Sequence, residues 1–345
     1  MQVFYKKEDL LDYSILKKYD KQEMYLTYEQ WPDIAEKHYS AALDPINLDS
    51  ISHIVFAGMG GSGAISDIFS SILSETDIHV DVIKGYHLPK TANSKTLVVA
   101  TSISGNTEET LSVVESALKK NCKTISFSNG GKMEKFCTKN GIDYQKIALY
   151  HSPRASFTSF LYSMLKVLHP ILPINENDIT ESLAKLRETR KVVSYNNMTE
   201  TNPALELAVW VTKMPVIYYP EGLRAAAIRF KNSLQENAKK HAMAEDVIEA
   251  CHNGIVPWIV ENSVIPILIQ GKDDHFKTKE RWNILKDFFE RNKINYKEIF
   301  SIDGSILTKL INLIYLLDYS TIYRAAISEV DPTPIEPIDF VKRSL

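Results

Sequence analysis

The chain has 345 residues, enough for a large hydrophobic core and for two domains or two halves of one body. Its 40 basic and 43 acidic residues give a formal net charge of −3, so no overall electrostatic field favours nucleic acid or an anionic membrane surface as a partner. Three cysteines without a Cys-x-x-Cys pair, and charged residues where a secretory signal would be apolar, predict a reduced, cytoplasmic setting.

Residues 1–47 have the pattern of short helices joined by loops, and we interpret them as an N-terminal helical segment. After them, short apolar runs alternate with helical patterns, which predicts a parallel sheet with helices on both faces. The predicted strands of this part are Ser52–Ala57, Ile78–Ile83, Lys95–Ala100, Lys123–Phe127 and Tyr144–Ile147. The predicted helices are Ala64–Leu73, one that starts near Leu111, Lys132–Lys139 and Ala155–Leu168.

The polar stretch Asn175–Asp178 is interpreted as a linker before a long helix. A second alternating block follows and repeats the architecture of the first. Its predicted strands are Pro215–Tyr219, Ile265–Ile269 and Tyr296–Phe300, and its predicted helices are Leu223–Lys240, Phe276–Arg291, Ile306–Ile327 and a short last helix within Pro332–Leu345. The sequence therefore predicts an α/β chain with two doubly wound parallel-sheet subdomains, residues 48–172 and 173–345, the second of which carries a helical tail.

A hydroxyl-rich turn follows the third predicted strand and precedes a helix. Backbone N–H groups and the helix dipole favour an anion at such a place. The turn adds three short hydrogen-bond donors, Ser102, Ser104 and Thr107. The alternative is ordinary helix-start chemistry, since Asn106 followed by Glu109 resembles a capping box.

A glycine-rich turn, Gly58–Gly63, follows the first predicted strand. It fits the G-x-G-x-x-G pattern of dinucleotide-binding proteins, and Asp81 lies about where that pattern places its ribose-binding acid. However, Asp81 falls inside a predicted strand and not at its end. We therefore interpret Gly60 and Gly61 as a tight turn that lets backbone approach a small substrate, with Ser62 as a donor. Two polar turns at the carboxyl ends of parallel strands predict one shared crevice.

With these two turns, the chain resembles the archaeal-type bifunctional phosphoglucose/phosphomannose isomerases, within the sugar isomerase (SIS) domain family. The motifs that carry the resemblance are Gly58-Met-Gly-Gly-Ser62, Ser102-Ile-Ser-Gly-Asn-Thr-Glu-Glu-Thr110, Ser152-Pro-Arg154, Gln235-Glu-Asn-Ala-Lys239, His252-Asn253 and a lysine close to the C-terminus. The resemblance covers the chain from about residue 50 to its end. It implies two SIS-type subdomains and an aldose–ketose isomerase that acts on glucose 6-phosphate, mannose 6-phosphate and fructose 6-phosphate without metal or cofactor.

The resemblance also implies roles for single residues. The phosphate would be held by Gly60, Gly61, Ser62, Ser102, Ser104 and Thr107. Glu236 would be the base at C2, and Arg154 would be the cation that holds a cis-enediolate. His252 would open the sugar ring from across a homodimer interface. Lys342 would assist at the ring oxygen, with Lys309 as the alternative lysine.

Residue patterns alone give other interpretations of these positions. Glu236 falls opposite the apolar stripe of its predicted helix, on the side of Arg229 and Ser233, which is typical of a solvated glutamate. If that polar face instead lined a crevice, partial burial would make Glu236 a more effective base. Arg154 could be a surface arginine, and His252 a solvated or structural histidine. No pattern identifies the residue that sets the preference between glucose and mannose.

Two other functions compete with the isomerase. One is a non-catalytic SIS-type regulator that binds a sugar phosphate, and the other is an NAD(P)-dependent dehydrogenase built on the glycine turn. The nine histidines contain no H-x-H or H-x-x-x-H pair, so the zinc site of metal-dependent mannose phosphate isomerases is not predicted.

Overall fold

The computed structural model describes residues 11–48, 51–260 and 263–344. The chain forms two compact units. The N-sheet unit consists of Gln30–Ala184 with the short segment Gly304–Thr308. The C-sheet unit consists of the residues up to Glu29, of Lys185–Asp303, and of the residues from Lys309 onward. None of the described helices is long and apolar enough to cross a lipid bilayer.

Helices and strands alternate through most of the chain. Up to residue 168 the elements are α1 (Tyr13–Tyr19), α2 (Met24–Glu29), α3 (Trp31–Tyr39), β1 (His53–Ala57), α4 (Gly60–Leu73), β2 (His79–Ile83), β3 (Thr96–Ser102), α5 (Glu108–Lys119), β4 (Lys123–Ser128), α6 (Gly131–Asn140), β5 (Asp143–Lys146) and α7 (Phe157–Leu168). The later elements are α8 (Glu176–Val193), α9 (Pro203–Trp210), β6 (Met214–Tyr219), α10 (Arg224–Glu236), β7 (Met243–Asp246), α11 (Val247–Ala250), β8 (Val264–Gln270), α12 (Phe276–Arg291), β9 (Lys297–Phe300), α13 (Ile306–Ile327) and α14 (Glu336–Ser344). The predicted α/β class is confirmed.

The N-sheet unit contains a five-stranded parallel sheet with the order β2-β1-β3-β4-β5. Helices cover both faces of its central strands. On one face, Val55 of β1 and Val98 of β3 pack against Val113 of α5. On the other face, Phe56 of β1 stacks on Phe69 of α4, with ring centroids 5.2 Å apart. Because all strands run in one direction, the loops that follow β1, β3 and β5 leave the same edge of the sheet.

The C-sheet unit repeats this architecture with a four-stranded parallel sheet of order β7-β6-β8-β9. Its core gathers large aromatic side chains, among them Trp258, Trp282 and Phe289, against Tyr218 of β6. The indole N–H of Trp258 donates to the Tyr218 hydroxyl at 2.7 Å, so two polar groups in this core satisfy each other. The prediction of two parallel sheets with helices around them is therefore confirmed.

Two element boundaries differ from the prediction for local reasons. The stretch 175–178, predicted as a linker, starts α8 instead, because the side-chain oxygen of Asn175 accepts the backbone N–H of Asn177 at 2.8 Å. Helix α10, predicted to reach Lys240, ends at Glu236. Three residues later, Lys239 adopts a left-handed φ of 54°, a backbone conformation that does not continue a helix. The sequence patterns also missed α9 and β7, which are both short.

Candidate active site

The glycine turn and the hydroxyl turn lie at one edge of the N-sheet, because β1 and β3 are adjacent parallel strands. Gly60 and Gly61 are the first two residues of α4, so the glycine turn forms the start of that helix. Ser62 follows them and is buried, with 5% of its surface exposed. The positive end of the α4 dipole therefore lies at this edge.

The hydroxyl turn gathers three short side chains between β3 and α5. Ser102 is the last residue of β3, and its Oγ lies 2.9 Å from Oγ1 of Thr107, the N-cap residue of α5. The Oγ of Ser104 accepts the backbone N–H of Asn106 at 3.4 Å. The alternative capping box of Asn106 with Glu109 is not formed, because the N-cap residue of α5 is Thr107 and the side-chain oxygen of Asn106 instead accepts the backbone N–H of Lys132 at 3.1 Å. The hydroxyls of Ser102, Ser104 and Thr107 are therefore oriented by hydrogen bonds to one another and to the backbone of the turn.

A hydrogen bond joins the two turns. The backbone N–H of Ile103 donates to Oγ of Ser62 at 3.2 Å. The first turn of α4 and the hydroxyl turn that precedes α5 are therefore held side by side. Two helix N-termini with several hydroxyl donors at one place favour a small multivalent anion such as a phosphate group.

Gly105 fixes the shape of the hydroxyl turn. It has a left-handed φ of 71°, and its N–H donates to the carbonyl of Ser102 at 2.8 Å. An added Cβ would lie 1.8 Å from the carbonyl oxygen of Gly130, at the start of α6. Only glycine allows this approach, so the turn is packed tightly against the segment that follows β4.

Arg154 lies in the loop between β5 and α7, which leaves the same edge of the N-sheet. Only 5% of its surface is exposed, so it is a buried cation and not the surface arginine that was the alternative. The loop is held by Ser156, whose Oγ accepts the backbone N–H of Tyr150 at 2.8 Å. The positive charge of Arg154 is therefore fixed in an enclosed place, where electrostatic interactions are stronger than in water.

Ser152, in the same loop, is a polar side chain that the prediction of site residues left out. It is 8% exposed, and its Oγ makes no hydrogen bond with any other described residue. A buried hydroxyl without a partner is costly, which makes Ser152 a candidate for contact with a ligand. Its place in the Ser152-Pro-Arg154 motif was the one signal available in the sequence.

In the C-sheet unit, Glu236 is the last residue of α10 and is half-buried. The polar face of α10 is not solvated, contrary to what periodicity indicated. Arg229 and Ser233 are 3% and 5% exposed. Both bind Asp318 of α13, with Arg229 Nη2 2.6 Å from one carboxylate oxygen and Ser233 Oγ 2.8 Å from the other. The final turn of α10 is therefore locked against α13.

Asp318 is a fully buried carboxyl that sequence patterns did not identify. Burial raises its pKa, and the neighbouring Arg229 guanidinium opposes that rise. The residue after Glu236 is also fixed, because Asn237 donates from Nδ2 to Thr321 Oγ1 at 2.8 Å. Residues on both sides of Glu236 are thus held by α13, which fixes the backbone from which its side chain extends.

His252 and Lys342 are both exposed residues of the C-sheet unit. His252 follows α11, and its backbone N–H donates to the carbonyl of Glu249 at 2.9 Å. Lys342 lies in α14. The alternative lysine, Lys309 of α13, is mostly buried and forms an ion pair with Asp273, which lowers the pKa of that carboxyl.

The predicted phosphate-binding residues are therefore brought together at one edge of the N-sheet, and Arg154 follows another strand at the same edge. Glu236, His252 and Lys342 belong to the C-sheet unit. Asp81, the acid of the dinucleotide pattern, lies inside β2 and its carboxylate is 2.9 Å from Nε2 of His53. It is thus engaged within the strands and not placed at the carboxyl edge, where a ribose-binding acid would stand.

Comparison with known proteins relates most of the chain to sugar-phosphate enzymes. Residues 47–150 match the family model of the SIS domain, and residues 200–345 match that of the bacterial phospho-glucose isomerase C-terminal SIS domain. The bifunctional phosphoglucose/phosphomannose isomerase of Caldicellulosiruptor bescii is 34% identical over 314 residues, which cover 87% of this chain and 91% of that protein. The protein of the same name from Thermoplasma acidophilum is 31% identical over 299 residues, with 86% and 90% coverage.

Among solved structures, the tagatose-6-phosphate ketose/aldose isomerase of Escherichia coli superposes with a TM-score of 0.64 at 14% identity, covering 90% of this chain and 93% of that one. At this identity the likeness shows the fold alone. The sequence relatives match along most of their length as well as most of this chain. Both SIS parts are present in the expected order. The chain therefore belongs to the bifunctional phosphoglucose/phosphomannose isomerase family.

Proposed function

We propose that this protein interconverts glucose 6-phosphate and mannose 6-phosphate with fructose 6-phosphate. The observation that carries the proposal is the hydrogen bond between Ser62 and Ile103, which unites two helix N-termini and their hydroxyls into one anion site. A hexose 6-phosphate offers a dianion of matching charge, with the reacting C1 and C2 at the far end of the sugar. The names of the sequence relatives supply the reaction class.

In this proposal the phosphate is held by the backbone at Gly60 and Gly61 and by the hydroxyls of Ser62, Ser102, Ser104 and Thr107. Helix dipoles at the starts of α4 and α5 add to the attraction of the dianion. Ser152 donates a further hydrogen bond to the sugar phosphate from its buried hydroxyl. Binding at the non-reacting end of the substrate orients the carbons at which chemistry takes place.

The chemistry needs a base and a fixed positive charge. We assign the base to Glu236, whose carboxylate takes the proton from C2 of the open-chain aldose, exchanges it with solvent and delivers a proton to C1, while the O2 proton passes to O1. The intermediate is a cis-enediolate, and we assign its stabilisation to the guanidinium of Arg154, which stays charged at any working pH. Because C2 is planar in the enediolate, a proton delivered to either face gives glucose or mannose configuration.

Ring opening precedes this step, and we assign it to His252 with help from Lys342 at the ring oxygen. We further propose a homodimer in which His252 serves the partner's substrate. Exposed apolar side chains follow His252 in the sequence: Val256, Ile259 and Val260 are 58%, 70% and 63% exposed. Such exposure is typical of a surface that a second protein chain covers. Sedimentation at micromolar concentration tests this, and a monomer with full activity would contradict it.

We also propose that the protein works in the cytoplasm. All three cysteines, Cys122, Cys137 and Cys251, are free thiols, as expected in a reducing compartment. Its substrates are phosphorylated sugars, which are charged and are made and used inside cells. Cell fractionation with an antibody to the chain tests this assignment.

A coupled assay with each hexose 6-phosphate tests the function. We expect turnover of glucose 6-phosphate and of mannose 6-phosphate to fructose 6-phosphate, and we expect chelator-treated protein to keep both activities. Sugar-phosphate binding without turnover would instead indicate the regulator. Binding of NAD(P) would indicate the dehydrogenase. Loss of both activities on chelation, restored only by zinc, would contradict the roles given to Arg154 and Glu236.

A further inference from the structure

Two histidines and an aspartate meet at the amino-terminal edge of the N-sheet, opposite the two turns. His53 is the first residue of β1 and His79 is the first residue of β2, and the sheet register pairs them. Asp81 lies two residues after His79, so both side chains point to the same face of β2. Strand pairing thus brings together three side chains that lie up to 28 residues apart in the sequence.

The three side chains converge on a small volume. One carboxylate oxygen of Asp81 lies 2.9 Å from Nε2 of His53 and 3.5 Å from Nε2 of His79. One ligand atom from each of the three residues falls within 4.8 Å of the other two. Ligand atoms placed about 2.0–2.2 Å from a tetrahedral ion are roughly 3.4 Å apart, so small side-chain movements suffice to surround one.

A further contact orients the least exposed of these ligands. Nδ1 of His53 lies 3.1 Å from Oγ1 of Thr96 on β3, and that oxygen also accepts the backbone N–H of Asn93 at 3.0 Å. With Nδ1 protonated and donating to Thr96, Nε2 carries the lone pair that a metal ion requires. Metal-bound histidines commonly have such an outer hydrogen bond, which fixes the tautomer and the ring orientation.

The solvent exposure of these side chains and the chemistry of their ligand atoms indicate which class of metal ion the cluster would bind. The side chain of His79 is 66% exposed and that of Asp81 is 34% exposed, so an ion can enter from solvent and keep a water molecule as its fourth ligand. Two imidazoles and one carboxylate suit Zn²⁺, Co²⁺ or Ni²⁺ better than Mg²⁺ or Ca²⁺, which prefer oxygen ligands.

We propose that His53, His79 and Asp81 form a binding site for a divalent transition-metal ion such as Zn²⁺, which clamps the edge strand β2 to β1. The site is separate from the reaction. Ala57 is four residues beyond His53 along β1, a distance of about 13 Å at ~3.3 Å per residue, and the proposed phosphate-binding turn begins only after Ala57. The clamp therefore stabilises the N-sheet and takes no part in turnover.

Calorimetric titration of chelator-treated full-length protein with Zn²⁺ alone tests the proposal. We expect one zinc ion per chain, with the affinity reduced at least tenfold in Asp81→Asn and in His79→Gln. The matched control is His87→Gln, an exposed histidine in the loop after β2, and its zinc affinity should equal that of the wild type. Thr96→Val should weaken binding by roughly 10–100-fold, because it removes the outer hydrogen bond.

Two readouts separate a loss of binding from a loss of folding. Co²⁺ bound to the wild type should give the intense visible absorption of a tetrahedral ion, and Asp81→Asn should lose that absorption while keeping the wild-type circular dichroism spectrum. Saturating Zn²⁺ should raise the Tm of the wild type and not that of Asp81→Asn. No zinc binding to the wild type, or equal binding by the wild type and by folded Asp81→Asn, would overturn the proposal.

Discussion

Oγ of Ser62 accepts the backbone N–H of Ile103 at 3.2 Å, which joins the first turn of α4 to the turn after β3. Neither turn alone distinguishes a ligand site from ordinary helix-start structure. Joined, they place two helix N-termini and their hydroxyls around one small volume. The affinity for the substrate phosphate is therefore expected to depend on this contact.

Ser62→Ala removes both the donor that we propose for the phosphate and the bond between the turns. We expect KM for fructose 6-phosphate to rise about tenfold, which corresponds to roughly 1–1.5 kcal/mol for one hydrogen bond, with a smaller change in kcat. Ser66→Ala, one helical turn further along α4, is the matched control, because Ser66 Oγ donates within the helix to the carbonyl of Ser62. Steady-state kinetics of both variants test this, and equal KM values would contradict it.

Gly105→Ala should disrupt the hydroxyl turn. The new Cβ would overlap the carbonyl oxygen of Gly130, so the turn must open, and we expect a loss of roughly 3 kcal/mol or more of stability with much weaker substrate binding. Gly141→Ala is the control that measures the cost of backbone strain without steric overlap, because Gly141 has a φ of 63° and open space around it. It should cost only about 1–2 kcal/mol. Similar urea midpoints for the two variants would show that the packing against Gly130 is unimportant.

Glu236→Gln tests the assignment of the base. The amide keeps the shape of the side chain but cannot take the proton from C2, so kcat should fall by about 10²–10⁴ while the Kd for a sugar phosphate stays near the wild-type value. Glu280→Gln, on the exposed face of α12, should retain full activity. Turnover in Glu236→Gln close to that of the wild type would remove this residue from the mechanism.

Because His38 is buried, it should make the free energy of unfolding depend on pH. Its Nδ1 lies 3.0 Å from Ser163 Oγ, and its Nε2 lies 3.1 Å from the hydroxyl of Tyr150, beside the Arg154 loop. Burial lowers the pKa of His38 to about 4 from its ordinary 6.5. The folded protein thus binds this proton more weakly than the unfolded chain, so the contribution to stability is complete above pH 6.5 and is lost as pH falls toward 4.

Between pH 7.5 and pH 5 this effect should lower the free energy of unfolding by about 2 kcal/mol. His38→Gln should remove that part of the pH dependence, whereas His87→Gln should leave it unchanged. Urea unfolding at a series of pH values measures both slopes. An identical slope in the wild type and in His38→Gln would contradict the burial of a neutral imidazole.

Local sequence patterns predicted much of this fold. The bounds of α12 and α13 follow directly from their apolar spacing, and the strands before the two turns are continuous apolar runs because helices cover both of their faces. The two polar turns could be located because β-strand and helix patterns flank them. The hydrogen bond between the two turns could not be predicted, because Ser62 and Ile103 are 41 residues apart in the sequence.

Tertiary partners account for what the sequence did not reveal. The polar side of α10 resembles a solvated face until Asp318, 89 residues after Arg229, is placed against it. Likewise, His53 gains its partners only when β1 and β2 pair in register. In both cases the partner of a polar side chain is distant in the sequence, so local residue spacing could not predict the contact.

The most direct test of the central claim follows fructose 6-phosphate incubated with the protein in deuterated water by NMR. We predict the appearance of glucose 6-phosphate and mannose 6-phosphate, both carrying deuterium at C2, with neither formed by Glu236→Gln. Fructose 6-phosphate recovered without any aldose product and with its C1 protons unexchanged would contradict the account.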